Sequence, residues 1–202
     1  MKHPSKLIAI HGLKGSGKDL TASMLQKYIL NSERFAFGDK LKRICSVAFD
    51  VPLNYFHDEA MKERGVSEWG TPRGLTMQVA DTFRSHFGDD FFAHDLRSAW
   101  AQAQAKGKSL IVTDLRFPVE LRTCRELGAV VVHVQRPSTG LYSPSTHSSE
   151  AGLPLDYLDS LICNTGTKSM LLAQVRQLIE VVWGPEALKE YPFVDENCFE
   201  FN

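Results

Sequence analysis

The chain has 202 residues, with 23 Lys plus Arg against 24 Asp plus Glu for a net charge of −1, and it is 43% hydrophobic and 23% charged. That length suits one well-buried α/β domain with room for small inserted lids, but not two independent domains. The near-neutral charge on ordinary globular composition excludes a disordered chain and a generic polyanion binder, while a local arginine cluster can still bind a small anion.

Met1 to Lys6 leads into an apolar run, Leu7 to Ile10, that is too short for a signal-peptide core or a membrane span, so a soluble intracellular protein is expected. The first strand covers 6–10 and runs into a Gly-rich turn and a helix over 18–30. A short second strand over 34–37 precedes a helix over 40–49, where Leu41, Ile44, Cys45, Ala48 and Phe49 recur at helical spacing and Pro52 stops the helix. No strong period marks 54–70. Helices follow over 73–87 and 91–105, separated by Gly88-Asp89-Asp90, and together they form a helical insertion.

The third strand covers 109–113, a helix 119–127 ends at Gly128, and the fourth strand covers 129–134. Residues 136–154, with three prolines and many Ser and Thr, have the composition of an exposed loop. A short fifth strand over 158–163 and a closing helix over 168–183 complete the pattern, and the aromatic tail (Tyr191, Phe193, Phe199, Phe201) is expected to pack on something. This alternation predicts parallel α/β packing. Cys45, Cys124, Cys163 and Cys198 are widely spaced, without zinc-site spacing, and read as reduced, mostly buried thiols.

Between the first strand and first helix stands Gly12-Leu-Lys14-Gly15-Ser16-Gly17-Lys18-Asp19, the pattern of a phosphate-binding loop. Its glycines let successive N–H groups point inward, the helix N-terminus adds positive potential, and Lys18 can reach the β and γ phosphates. Asp19 occupies the position where a Ser or Thr hydroxyl usually meets Mg²⁺, and the next hydroxyl is Thr21. A dinucleotide fingerprint fails, because Leu20 stands at the third glycine position. Asp114, at the carboxyl end of a buried strand, either holds Mg²⁺ through water or caps the next helix. Arg116 is either a phosphate clamp or the surface ion-pair partner of Glu120. Arg73 and Arg84 lie eleven residues, about three turns, apart, so they share one helix face and face either a common ligand or solvent. Lys40 and Lys42 carry the same ambiguity.

These segments together resemble the phage deoxynucleoside monophosphate kinases, relatives of adenylate kinase among the P-loop phosphotransferases. The resemblance runs nearly end to end. It rests on Gly12 to Asp19, Phe37-Gly-Asp39-Lys-Leu-Lys42, Thr71-Pro-Arg73 with Gln78 and Arg84, and Phe87-Gly-Asp-Asp-Phe-Phe92. It continues through Asp114-Leu-Arg116-Phe-Pro-Val-Glu120, Arg136-Pro137, Thr146-His-Ser-Ser-Glu150 and Asn164-Thr165-Gly166-Thr167. The chain departs from the family pattern in three segments: Leu20 in place of Thr, Ala80-Asp81-Thr82 in place of Gly-Thr-Asp or Gly-Thr-Glu, and Thr165 in place of Asp.

The resemblance implies a three-layer P-loop NTPase fold of about five parallel strands flanked by helices, as a single domain 1–202 with an acceptor-binding insertion at 38–105 and a lid at 137–155. It implies ATP as donor with Mg²⁺, a deoxynucleoside monophosphate as acceptor, and dNDP and ADP as products. Gly12, Lys14, Gly15, Ser16, Gly17, Lys18, Asp19 and Leu20 would bind ATP, with Asn164, Thr165 and Gly166 on the adenine side. Asp19 and Asp114 would surround the metal, and Arg136 would stabilise charge during transfer. The acceptor would meet Asp39, Lys42, Arg73, Gln78, Arg84, Asp114, Arg116 and Glu150, with Lys18, Arg116 and Arg136 carrying catalysis. Partners would be small-molecule nucleotides, with no nucleic-acid polymer and no membrane, and relatives suggest a homodimer in the cytoplasm, the host's if phage-encoded. Two alternatives keep the loop: a kinase of another small acceptor such as dephospho-coenzyme A or a sugar acid, and a nucleotide-binding switch. The lack of an Asn-Lys-x-Asp motif weighs against a GTPase.

Overall fold

The computed structural model describes residues 4–29, 31–66, 68–136, 153 and 158–188. Two compact units divide the chain: Met1–Phe35 with Leu96–Asn202, and Ala36–Asp95.

The first unit is built on a parallel sheet of β1 (Leu7–His11), β2 (Ser32–Phe35), β3 (Ser109–Leu115), β4 (Val130–Gln135) and β5 (Ser160–Cys163), in the order β2-β3-β1-β4-β5. Every residue of β1 is buried, as a central strand covered on both faces requires, which explains why it reads as a continuous apolar run rather than an alternating one. Helix α1 (Lys18–Tyr28) and helix α6 (Lys168–Trp183) cover one face. There Met24, Leu25 and Tyr28 meet Val175, Leu178 and Ile179 over Ile8, Ile10, Val132 and Ile162. Helix α5 (Pro118–Glu126) connects β3 to β4. With β1 flanked by β3 on one side and β4 on the other, the chain reverses its winding at β1, and the loop after β1 leaves the sheet at that switch point.

One irregularity bears on the site. Ala9 pairs with Val112, but His11 pairs with Leu115, so β3 carries one extra residue across Thr113 and Asp114. Such a bulge re-aims the side chains next to it. Thr113 and Leu115 are buried, and Asp114 between them is half-exposed at the strand end.

The second unit holds helix α2 (Phe37–Ala48), two single-turn segments (Leu53–Phe56 and Met61–Glu63) within the stretch that lacked a period, and helix α3 (Pro72–Phe87). Leu41, Cys45, Val51, Phe56, Ala80 and Phe92 form its own apolar centre. Thr71 caps α3 by accepting from the Gly74 N–H at 3.1 Å, with Pro72 at the first helical position. Helix α4 (His94–Ala105) begins in this unit, but from Leu96 onward it is part of the sheet unit, so the compact unit ends earlier than the insertion expected at 38–105.

Element boundaries shift by a residue or several. Helix α2 starts at Phe37 rather than 40, because Phe37 itself is buried and joins the packing, and the second strand ends where that helix begins. The expected lid at 137–155 lies outside the described residues apart from Leu153, and the aromatic tail lies outside them entirely. Cys45 and Cys124 are buried free thiols and Cys163 is half-buried. Burial, with the carboxylates of Glu120 and Asp114 nearby, pushes the Cys124 thiol up to about 12.

Candidate active site

The loop after β1 is pressed against its neighbours so closely that two positions admit no side chain. A Cβ on Gly12 would stand 2.2 Å from the Val134 carbonyl oxygen on β4 and 2.7 Å from Ser16 Oγ. A Cβ on Gly17, whose φ is +100°, would stand 2.4 Å from Asn164 Nδ2. Lys18 folds across the loop, its Nζ donating to the Leu13 carbonyl at 2.7 Å. Ser16 is 1% exposed, and its hydroxyl has no hydrogen-bond partner among the described residues. A buried hydroxyl left unpaired costs about 1–3 kcal/mol, and a phosphate oxygen seated in the loop would remove that cost. The cradle, the ammonium and the orphaned hydroxyl all fit a bound polyphosphate. Lys14 and Gly15 are exposed on the loop's outer turn.

Asp19 is exposed in the first turn of α1, where a carboxylate also suits the helix dipole. Leu20 packs against the apolar core, so only its backbone is available to a ligand. Thr21, the next hydroxyl in sequence after Asp19, is fully buried in α1, and its Oγ1 has no hydrogen-bond partner among the described residues.

Beside the loop, two histidines close the carboxyl ends of the central strands. His11 and His133 are register partners on β1 and β4, both buried, with ring centroids 5.1 Å apart. His11 Nδ1 lies 3.0 Å from the Leu115 carbonyl. A carbonyl oxygen only accepts, so Nδ1 carries the proton, and Nε2 accepts from the Leu153 N–H at 3.2 Å. Burial, with the Lys18 ammonium nearby, holds the pKa of His11 below the usual histidine value and lowers that of His133 to about 4. Both rings are therefore neutral at pH 7. The sequence reading missed this pair; a His ending one buried strand and another within a second was its only available signal.

Glu120 resolves one of the open alternatives. Its carboxylate Oε2 accepts from the Arg116 N–H at 2.8 Å and from the Phe117 N–H at 3.0 Å. It therefore caps α5 as the third helical residue reaching back to the first free amides. Of the two readings of Arg116, the ion pair with Glu120 gives way to this cap, and the Arg116 side chain is exposed at the end of β3. Arg136 is exposed just past the end of β4.

On the β5–α6 connection, Asn164 is buried and its Nδ2 donates to the Ser16 carbonyl at 2.9 Å, while Thr165 and Gly166 are exposed. Asn164 thus turns its amide toward the phosphate loop.

Within Ala36–Asp95, Asp39 lies in the first turn of α2, 3.9 Å from Lys42 Nζ, which in turn stands 3.4 Å from His57 Nδ1. Arg73 Nε pairs with Glu63 at 2.5 Å. Arg84 lies 3.6 Å from Asp81 and 5.4 Å above the Phe92 ring. Arg73 and Arg84 stand at opposite ends of α3, about 16 Å apart along its axis. Gln78 is exposed between them, and Glu150 lies outside the described residues.

Residues 67–175, more than half of the chain, match the family model described as deoxynucleotide monophosphate kinase. The chain belongs to that family. A mimivirus protein described as a putative deoxynucleotide monophosphate kinase is 27% identical over 188 residues, covering 86% of this chain and 96% of its own. The deoxynucleotide monophosphate kinases of phages RB69 and T4 are 38% and 39% identical over 69 and 72 residues, which cover 34% and 36% of this chain but only 28% and 29% of theirs. Among solved structures, a Mycobacterium tuberculosis APS kinase mutant aligns at 16% identity with a TM-score of 0.45, covering 89% of this chain and 98% of that one. The Thermus thermophilus protein TT1252 aligns at 17% identity with a TM-score of 0.41, covering 90% and 99%. As a member of the deoxynucleotide monophosphate kinase family, the protein is an enzyme, a nucleotide kinase. Among the described residues, no helix is long and apolar enough to cross a membrane.

Proposed function

We propose that this kinase transfers the γ-phosphoryl group of ATP to a deoxynucleoside monophosphate, giving the diphosphate and ADP. One observation carries the donor half: a glycine loop that excludes side chains, with Lys18 folded across it and the buried Ser16 hydroxyl unpaired, is a seat for a polyphosphate. Family membership supports the acceptor class. Phosphoryl transfer asks for positioning and charge neutralisation rather than covalent chemistry by the protein. Lys18 holds the donor phosphates together with the backbone of Gly12, Lys14, Gly15, Ser16, Gly17 and Leu20.

Mg²⁺ takes one or two carboxylates together with phosphate oxygens and water, and when bound it neutralises charge on the phosphates. Asp19 and Asp114 are the carboxylates that would hold it. Arg116 holds the acceptor phosphate as a planar fork, and Arg136 stabilises charge during transfer. Within Ala36–Asp95, Asp39, Lys42, Arg73, Gln78 and Arg84 contact the acceptor nucleotide. Thr165 and Gly166 line the adenine side. The partners in this reading are ATP and the monophosphate, with no nucleic-acid polymer or membrane, in a cytoplasmic homodimer.

Lys18→Ala tests the donor half. With ATP, Mg²⁺ and a deoxynucleoside monophosphate, turnover should fall by about 10²-fold or more while the far-UV spectrum stays that of the wild type. Near-normal turnover would overturn the assignment.

A further inference from the structure

The adenine-side role that family resemblance gives Asn164 does not account for its position. The residue is 7% exposed, and its side chain points at the phosphate loop. Its backbone is fixed from two directions. The Asn164 N–H donates to the Gln135 carbonyl at 2.8 Å, tying it to the end of β4. The residue before it is clamped by Gln174 of α6, which accepts from the Cys163 N–H at 2.8 Å and donates to the Cys163 carbonyl at 2.9 Å. From this anchored point Nδ2 donates to the Ser16 carbonyl at 2.9 Å and fills the space beside Gly17 that a Cβ would need.

We infer that Asn164 is a positioning residue of the donor site: it fixes the Ser16–Gly17 peptide of the phosphate loop and thereby sets affinity for the polyphosphate, not for the base. The physical reason lies in the peptide plane. In a trans peptide the carbonyl and the following N–H point to opposite sides. Holding the Ser16 carbonyl on Asn164 therefore turns the Gly17 N–H the opposite way, at the start of α1, where the first amides of a helix have no carbonyl one turn back and serve an anion. Without the amide, the Ser16 carbonyl is left buried and unpaired, and the peptide is free to rotate. A donor group that is held before the ligand arrives loses less freedom on binding, so the brace acts on affinity without touching the ligand.

The inference rests on the donor-site reading above, and the experiment separates the two. Binding of ATP, GTP and inorganic tripolyphosphate, each with Mg²⁺, is measured by calorimetry for the wild type, Asn164→Ala, Asn164→Ser and Asn164→Asp, alongside thermal melting and the KM for the acceptor. Asn164→Ala should weaken all three ligands by the same factor, about tenfold for one residue's backbone that must be ordered on binding instead of beforehand. Asn164→Asp, which sets a carboxylate against a carbonyl oxygen, should weaken them further. Asn164→Ser, which keeps a hydroxyl donor of shorter reach, should fall between the wild type and Ala and serves if Ala folds poorly. The acceptor KM should not change.

If ATP weakens while tripolyphosphate does not, Asn164 reads the base and the inference is wrong. It is equally wrong if melting falls but tripolyphosphate affinity is kept. If the wild type binds neither ATP nor tripolyphosphate, the donor-site reading fails and takes the inference with it.

Discussion

Glu120 is 4% exposed, and one of its oxygens accepts two backbone N–H groups, those of Arg116 and Phe117 at 2.8 and 3.0 Å. Two variants separate what that oxygen does from the charge it carries. In Glu120→Gln the amide oxygen can take the place of Oε2 and keep both bonds; the loss of charge assistance and of the interaction with the dipole of α5 together amounts to about 1 kcal/mol. In Glu120→Ala both bonds go. Hydrogen bonds to a charged group contribute about 1.5–3 kcal/mol each, but the site is at a strand end where water can reach part of the exposed backbone, and the desolvation cost of the carboxylate is also removed. The expected loss is therefore about 2–3 kcal/mol.

Urea unfolding followed by tryptophan fluorescence measures both. The same cap holds the backbone of Arg116, so in the fraction that stays folded Glu120→Ala should raise the KM for the nucleoside monophosphate while leaving that for ATP close to the wild type. Displacements near 1 Å at a reacting centre are enough for large rate losses. If Ala and Gln lose the same stability, or if Ala lies within about 0.5 kcal/mol of the wild type, the carboxylate is not holding the strand end and the reasoning fails.

Gly12→Ala should lose about 2 kcal/mol or more and most ATP affinity, because its Cβ would stand 2.2 Å from a backbone carbonyl on β4 that cannot rotate away; wild-type melting and binding would contradict the close approach. Arg116→Lys should raise the acceptor KM, since an ammonium cannot reproduce a planar fork on a phosphate, and an effect on ATP alone would move this arginine to the donor side. Stability should also depend on pH through His11 and His133, whose pKa values lie below their unfolded value, that of His133 at about 4. Between pH 6.5 and 4 the unfolded chain binds more protons than the folded one, so this contribution is full above pH 6.5 and is lost as pH falls, by at most about 1.4 kcal/mol per pH unit for each ring. His133→Phe should flatten that slope in urea unfolding at pH 7, 6 and 5, and an unchanged slope would show that His133 is not held neutral.

Much of this fold could be read along the chain because its strands are buried on both faces and its helices are amphipathic. Leu7 to Ile10 and Leu110 to Val112 are short apolar runs, and they become the neighbouring central strands β1 and β3. The phosphate loop was equally legible, because its chemistry is local: glycines, a lysine and a helix start within one short stretch. What the sequence did not reveal is long-range. Nothing near Asn164 signals that its amide reaches Ser16, and the choice for Arg116 between a phosphate clamp and an ion pair with Glu120 stays open until the helix start shows two backbone amides held by that carboxylate. Thr21 looked available as a hydroxyl beside Asp19, but it is fully buried. The extra residue in β3 across Asp114 is likewise set by pairing with β1, which no window of sequence contains.

The central claim is phosphoryl transfer from ATP to a deoxynucleoside monophosphate. The direct measurement incubates the purified chain with ATP and Mg²⁺ and, one at a time, dTMP, dGMP, dCMP, dAMP and their ribose counterparts, following ADP and the nucleoside diphosphate together. At least one deoxynucleoside monophosphate should yield its diphosphate and ADP in equal amounts, at a rate that vanishes without acceptor. ADP release that is independent of every acceptor, or no diphosphate from any of them, would contradict the account.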